Sequence, residues 1–242
     1  MSAFAEITKR WEKKFEEVCV NPSFQRLLNG NITRDHYAAL LRQIFHHARE
    51  NPQIQTLATA YFRGHQRKVV KMFYKHAVSE IGHDELALND LRALGVPTQN
   101  IPFERPLPAT TALLAFAFYQ IQHLDPIGYL GYLFHLEFMP TKVGRQVLEG
   151  LTKIGIPREA MTFIQDHTTI DVGHNKLMEA YVEELVVNDQ QIETIAYCAS
   201  VTADLYTRMI ESAFAWAEAP YSTGVSPYER RSQVENVQMA DL

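Results

Sequence analysis

The sequence has only two cysteines, Cys19 and Cys198, and neither belongs to a CxxC or CxxxC pair. Zinc and iron–sulfur frameworks built on clustered thiolates are therefore excluded. Isolated cysteines of this kind are typical of small buried side chains in a reducing compartment. The amino terminus also lacks the basic and apolar regions of a secretory signal, so we expect a cytoplasmic location.

Long apolar runs and basic clusters are missing as well. The longest apolar run, residues 112–119, is far shorter than the roughly 20 residues that a membrane-spanning helix needs. The formal net charge is −5, with 23 Lys and Arg residues against 28 Asp and Glu residues, and the basic residues are scattered. We therefore expect neither a membrane span nor a nucleic-acid partner.

Alternating β-branched runs, the pattern of strands, are also absent, and apolar residues recur with the 3.6-residue period of a helix. The sequence therefore predicts an all-α protein, a compact bundle of seven to eight helices in a single domain over residues 1–220. Residues 221–242 are polar, and we expect them to form a C-terminal tail. The proline-rich residues 96–110 are the one long connector, between two halves of the bundle.

Capping residues and helix breakers set the expected helix bounds. Thr33, followed by Asp35, has the character of an N-cap, and Gly95 with Pro97 is a stop signal. The segment after Asn21-Pro22 is assigned no helix. The predicted helices cover about residues 4–20, 35–51, 52–63, 68–94, 110–125, 126–154, 157–187 and 190–218.

One sequence motif, the repeated phrase, occurs twice in the chain. The first copy is His76-x3-Glu80-Ile-Gly-His83, and the second is His167-x3-Asp171-Val-Gly-His174. On a helix, residues at i, i+4 and i+7 lie on one face. Carboxylates and imidazoles on facing helices are the ligands of carboxylate-bridged di-iron and di-manganese sites. Two such faces turned toward each other would therefore form a metal site.

Glu137 provides a further carboxylate, because it lies in an otherwise apolar helical segment, residues 129–139. Burial of an unpaired charge costs several kcal/mol, so a cation is expected beside it. Gly82 and Gly173 each directly precede a histidine of the repeated phrase. Glycine costs about 1 kcal/mol relative to alanine within a helix, so we expect another helix or a small molecule to approach closely at both positions.

Three other histidines are weaker candidates. His46 and His47, with Glu50 nearby, are expected at the surface or beside the ligands rather than among them. His135 is two residues before Glu137, so its side chain points about 160° away on a helix.

The six strongest candidates together resemble the heme-oxygenase-like diiron oxidases, which include CADD-like proteins and iron-containing redox enzymes. That family shares a seven-helix fold with heme oxygenase, thiaminase II and pyrroloquinoline-quinone synthase. The third metal helix of the family, His-x3-Asp-x2-His, is intact in the second phrase. The spacing Glu-x2-His in the first phrase is the shorter of two family spacings. The resemblance assigns six metal ligands: Glu80, His83, Glu137, His167, Asp171 and His174.

The resemblance implies an enzyme that holds two iron ions, with manganese as an alternative metal, and uses O2 as co-substrate. It implies oxidation or cleavage of a small organic substrate, such as a fatty acid, an amino acid or an aromatic precursor. An external electron donor and a homodimer are further expectations, and no catalytic residue beyond the ligands is assigned. His76 lies outside the six-ligand set, and three roles stay open for it: an extra ligand, a partner of the ligands, or a core residue.

Alternatives remain at this point. A metal-free enzyme on the same fold could resemble thiaminase II, with Cys198 as nucleophile, or pyrroloquinoline-quinone synthase. A non-catalytic metal-binding protein, such as a ferritin-like store, is a further alternative. Heme binding would use one histidine and leave the carboxylates unexplained.

Overall fold

The computed structural model describes residues 2–62 and 66–219, without the side chains of residues 169–175. The predicted tail, residues 221–242, lies outside this range. The described residues contain no strand, which confirms the prediction of an all-α protein. None of their helices combines the length and the apolarity of a membrane span. The α-helices are α1 (Ala3–Cys19), α2 (Pro22–Asn29), α3 (Arg34–Ala48), α4 (Asn51–Thr59), α5 (Arg67–Glu80), α6 (His83–Ala93), α7 (Pro108–His123), α8 (Tyr129–Lys153), α9 (Thr162–Leu185) and α10 (Asp189–Glu218).

Helix α2 is the first element that differs from the sequence prediction. The Asn21 side chain accepts hydrogen bonds from the backbone N–H groups of Ser23 and Phe24, and Pro22 occupies the first turn. Proline is favoured there, because a first-turn N–H has no partner within the helix. The pair Asn21-Pro22 therefore ends α1 and also begins a new helix.

The predicted single helix over residues 68–94 is wrong, because the chain breaks between α5 and α6. Ile81 is extended, with φ −67° and ψ 120°, and Gly82 has φ 100°. A Cβ atom added to Gly82 would meet nothing within 4 Å. Gly82 is therefore explained by its left-handed backbone rather than by close approach of another group. Gly173 lies among the residues whose side chains are not described.

Helix α10 lies at the centre of the bundle, where it packs against α1, α3, α7 and α8. The contact with α8 is close at Gly131, where an added Cβ would collide with the backbone oxygen of Ile195. On another side of α8, the Trp11 indole N–H donates to His135 Nδ1 at 3.1 Å. Burial lowers the pKa of His135 to about 3, so the ring is a neutral acceptor. These contacts fix α8, which carries Glu137.

Helix α6 positions the start of α9 through one buried carboxylate. Asp90 is fully buried and accepts hydrogen bonds from the backbone N–H groups of Thr162, at 2.9 Å, and Phe163, at 3.0 Å. The Thr162 hydroxyl adds a third bond at 2.6 Å. Because N-terminal N–H groups lack partners within a helix, this carboxylate caps α9 from a different part of the chain.

Replacement of Asp90 by alanine removes this cap and leaves buried donors unsatisfied. We expect Asp90→Ala to lower the free energy of unfolding by about 1–3 kcal/mol, measured by urea denaturation. The control is Glu85→Ala on the exposed face of the same helix, which should change it by less than about 0.5 kcal/mol. Equal losses in the two variants would contradict the capping role.

Candidate metal centre

The last two turns of α5 carry two of the polar residues of the first phrase into the interior. His76 is 3% exposed and Glu80 is 8% exposed. They lie four residues apart and so share the buried face of α5 with Phe73, which is also buried. Lys75 and Val78, on the other face, are exposed. The periodicity of α5 therefore selects His76 and Glu80 for the core.

Glu80 lies between two histidines, one on its own helix and one on the next. Its Oε1 atom is 3.6 Å from His76 Nε2, and its Oε2 atom is 3.3 Å from His83 Nδ1. His83 is the first residue of α6, so the turn at Gly82 brings its ring back toward Glu80. Burial by itself would raise the pKa of Glu80, but hydrogen bonds with His76 and His83 lower it well below its usual range. The carboxylate is therefore ionised at neutral pH.

Glu137 approaches the same group of side chains from α8. It is 5% exposed, and its Oε1 atom lies 3.2 Å from His76 Nε2. His76 therefore contacts both buried carboxylates. The opposite ring nitrogen, Nδ1, lies 3.5 Å from the Tyr181 hydroxyl. His76 therefore lies among the candidate ligands, and its role stays a prediction.

His167 on α9 faces the group with one ring nitrogen and is held by the other. Its Nδ1 donates to the carbonyl oxygen of Phe163 at 2.8 Å, since a carbonyl can only accept. The Phe163 ring stacks on the imidazole with centroids 4.0 Å apart, and the His83 ring meets it edge-on at 4.8 Å. Burial lowers the pKa of His167, which favours the neutral ring. Nε2 therefore has a lone pair, as in metal-binding histidines whose other nitrogen donates to a carbonyl.

These residues form two overlapping groups that could each hold a metal ion. One comprises Glu80, His83 and His167; the other comprises His76, Glu80 and Glu137. Within each group the ligand atoms lie within 4.8 Å of one another. Two atoms bound at right angles to a divalent ion at about 2.1 Å are about 3 Å apart, close to the measured 3.2 and 3.3 Å contacts.

A small cavity lies between the carboxylates and His167. Its volume is about 30 Å³, and Glu80, Glu137 and His167 are among its lining residues. A site for one water-sized guest needs at least about 10–15 Å³, so the cavity has room for a guest of that size. The donor set and the space therefore fit metal binding. The side chains of Asp171 and His174 lie outside the described residues, and their ligand roles stay predictions.

Two amide side chains from α4 also line this cavity, and sequence reasoning missed both. They are Asn51 and Gln55, one helical turn apart. Gln55 is 1% exposed, and its Nε2 has no hydrogen-bond partner in the described part of the chain. A buried amide donor without a partner is unusual and suits an oxygen atom within the cavity. Their i, i+4 spacing was the available signal.

His46 and His47 are both buried, so the expected surface position is wrong. Burial lowers the pKa of each to about 4, which keeps both rings neutral. The Tyr132 hydroxyl lies 2.8 Å from His47 Nε2 and 2.8 Å from Asn51 Oδ1. Because an amide oxygen can only accept, Tyr132 donates to Asn51 and accepts from His47. His47 therefore supports the wall of the cavity and does not turn this nitrogen toward a metal.

Solved structures with similar folds define the class of this chain. A domain of unknown function with a heme oxygenase-like fold, from Shewanella denitrificans OS217, matches with a TM-score of 0.83 at 20% identity, covering 92% of this chain and 96% of that one. A TenA homologue from P. horikoshii OT3 matches with a TM-score of 0.73 at 10% identity, covering 89% and 99%. A CADD-like protein of unknown function from Nostoc punctiforme PCC 73102 gives 0.68 at 19%, covering 89% and 99%. The fold is therefore heme oxygenase-like.

A match to a protein-family model assigns the chain to a particular family within this fold. The model of the iron-containing redox enzymes matches residues 38–207, which include every residue of the two ligand groups. The chain belongs to this family. Comparison with curated proteins finds no significant match.

The hydroxyl of Tyr132 holds the cavity wall together, so its removal should weaken the protein. We expect Tyr132→Phe to lower the free energy of unfolding of the metal-free protein by about 1–3 kcal/mol, because His47 and Asn51 lose their shared partner. Tyr197→Phe, at a side chain that is 57% exposed, is the matched control and should have little effect. Urea denaturation at neutral pH measures both, and indistinguishable midpoints would argue against the network.

Proposed function

We propose that this chain is a non-heme diiron oxidase or oxygenase, with manganese able to replace one or both irons. The observation that carries the proposal is the pair of overlapping ligand groups, buried or half-buried, that share Glu80. Two carboxylates and three imidazoles meet in a bundle interior, where carboxylate-bridged dimetal sites occur. The family match to iron-containing redox enzymes supports the same conclusion.

The side chains divide between two metal positions in this proposal. Glu80 would contribute to both positions, because its Oε1 atom faces His76 and its Oε2 atom faces His83. Glu137 and His76 hold one ion, whereas His83 and His167 hold the other. His76 thereby becomes a ligand in addition to the six that the family resemblance assigns.

Asp171 and His174 complete the ligand set in this proposal, on the sequence pattern alone. They follow His167 by four and seven residues in the sequence, a spacing that favours one face of a helix. When bound, the iron pair supplies the redox chemistry that activates O2 for oxidation of an organic substrate. An external electron donor would supply the electrons that the substrate does not.

Residues around the small cavity keep it dry and direct hydrogen bonds into it. Leu133, Leu136 and the ring of Tyr129 line it and exclude bulk water. Burial raises the pKa of Tyr129 well above its usual value, so its hydroxyl keeps its proton. Gln55 also lines the cavity, and its amide Nε2, without a hydrogen-bond partner in the described part of the chain, would orient an oxygen atom of a guest molecule.

A thiaminase-like reaction has less support from this site. That reading requires a reactive thiolate, and Cys198 is the sole candidate. Cys198 is fully buried, and burial raises the pKa of its thiol to about 12. It lies on α10 and is absent from the described lining of the small cavity. The likeness to a TenA homologue, at 10% identity, concerns the fold alone.

Anaerobic titration with ferrous iron tests the shared role of Glu80. Wild-type protein should bind about two equivalents, and iron at about 100 times its dissociation constant should stabilise the fold by about 2.7 kcal/mol for each bound ion. We expect Glu80→Gln to lose both equivalents, because both ligand groups depend on it. Glu85→Gln, an exposed carboxylate on α6, is the control and should retain both.

Undiminished binding by Glu80→Gln would overturn the proposed centre. Exposure of the iron-loaded protein to O2 then distinguishes an oxidase from an iron-storage protein. An oxidase consumes O2 in proportion to an oxidised substrate, whereas a store oxidises only its own iron.

A separate substitution tests the assignment of His76 as a ligand. We expect His76→Ala to reduce the bound iron from about two equivalents to one, since only one of the two groups includes His76. His135→Gln replaces another buried histidine, which instead accepts a hydrogen bond from Trp11, and should retain both equivalents. Two equivalents bound with unchanged affinity in His76→Ala would show that His76 is not a ligand.

A further inference from the structure

A second internal cavity, almost entirely apolar, lies on the other side of His167. Its volume is about 60 Å³, and it is bounded by α2, α3, α8, α9 and α10. Leu40 and Ile44 of α3 and Ile210 of α10 are buried lining residues. Val143 of α8 and Ile164 of α9 are half-buried. The seam between α8 and α9 is therefore the side from which a guest can enter.

His167 connects this apolar cavity to the metal centre. It lines both the apolar cavity and the small cavity that contains Glu80 and Glu137. Phe163, whose ring stacks on His167, also lines the apolar cavity. A guest in the apolar cavity therefore lies one imidazole ring away from the proposed metal positions.

The lining carries no charged side chain among the described residues. Apart from the thioether of Met139, His167 and Tyr206 alone contribute side-chain heteroatoms. Burial raises the pKa of Tyr206, so its hydroxyl stays neutral, and the Nδ1 of His167 is already bound to the Phe163 carbonyl oxygen. A charged group would lose its hydration here without gaining a partner. The part of a substrate that enters this cavity is therefore uncharged and apolar.

The volume of the cavity indicates whether an alkyl segment or an aromatic ring fits as a guest. In another protein, an engineered apolar cavity of about 150 Å³ binds benzene. The cavity beside His167 has less than half that volume, about 60 Å³. A narrow alkyl segment fits this space, whereas an aromatic ring would have to displace the helices around it.

We propose that this cavity binds an unbranched alkyl segment of the substrate, so that the adjoining part of the substrate faces the metal centre across His167. The proposal rests on the diiron function for its catalytic meaning. The binding site itself is a property of the protein without metal, so the two can be tested separately. Among the substrate classes that the family resemblance implies, the cavity favours aliphatic molecules over aromatic ones and over amino acids.

Titration calorimetry with n-alkanols on the metal-free protein tests the proposal. Neutral alcohols avoid attraction to surface charges. Affinity should rise about fourfold for each added methylene, the value expected for burial of that group, until the cavity is filled. Benzyl alcohol should bind at least tenfold more weakly than 1-hexanol.

Two matched variants locate the binding site. Val143→Phe fills the apolar cavity and should weaken 1-hexanol binding at least tenfold. Val78→Phe makes the same change in a broad surface groove along the outer face of α5 and should leave binding unchanged. Iron stoichiometry, measured separately on Val143→Phe, reports whether the metal centre is intact.

The proposal is overturned by any of three results: no binding up to the solubility limit, equal binding by wild type and Val143→Phe, or benzyl alcohol that binds as tightly as 1-hexanol. None of these results bears on the diiron centre, whose own test is the iron stoichiometry. Conversely, if the protein binds alkanols as expected but binds no iron, the alkyl site is supported and the proposed oxidase function is contradicted.

Discussion

The burial of two carboxylates, Glu80 and Glu137, in an apolar helical bundle is the constraint on which the rest of the site depends. An ionised carboxylate loses several kcal/mol of hydration when it is buried, and it is tolerated only beside positive charge or strong donors. Three imidazoles surround this pair: His76, His83 and His167. Carboxylate oxygens and imidazole nitrogens are together the ligands that divalent transition-metal ions bind. The composition of the site is therefore that of a cation-binding centre.

The surrounding fold holds these side chains through contacts far from them in sequence. The indole of Trp11 binds His135 on one side of α8, and close packing at Gly131 fixes another side. Tyr132 joins His47 to Asn51 behind the small cavity. The bonds of Trp11 to His135 and of Tyr132 to His47 are buried, so water does not replace them.

Sequence patterns were sufficient for features that depend on local periodicity. They predicted the all-α class and the inward direction of Glu80, Glu137 and His167. The break at Gly82 was missed, because a glycine within a helix costs only about 1 kcal/mol and the local sequence permits either conformation. The amides of Asn51 and Gln55 were missed because packing of the whole bundle determines which side of α4 faces a cavity.

Helix α6 has a contact at each end that bears on the metal centre. Its first residue, His83, contacts Glu80, and Asp90 in its last two turns caps α9, the helix that carries His167. Any ion that binds more tightly when α6 keeps this position stabilises the cap of α9 by the same free energy, since coupling between two sites is reciprocal. With such coupling, an increase in metal affinity would be accompanied by less fraying of the first turn of α9.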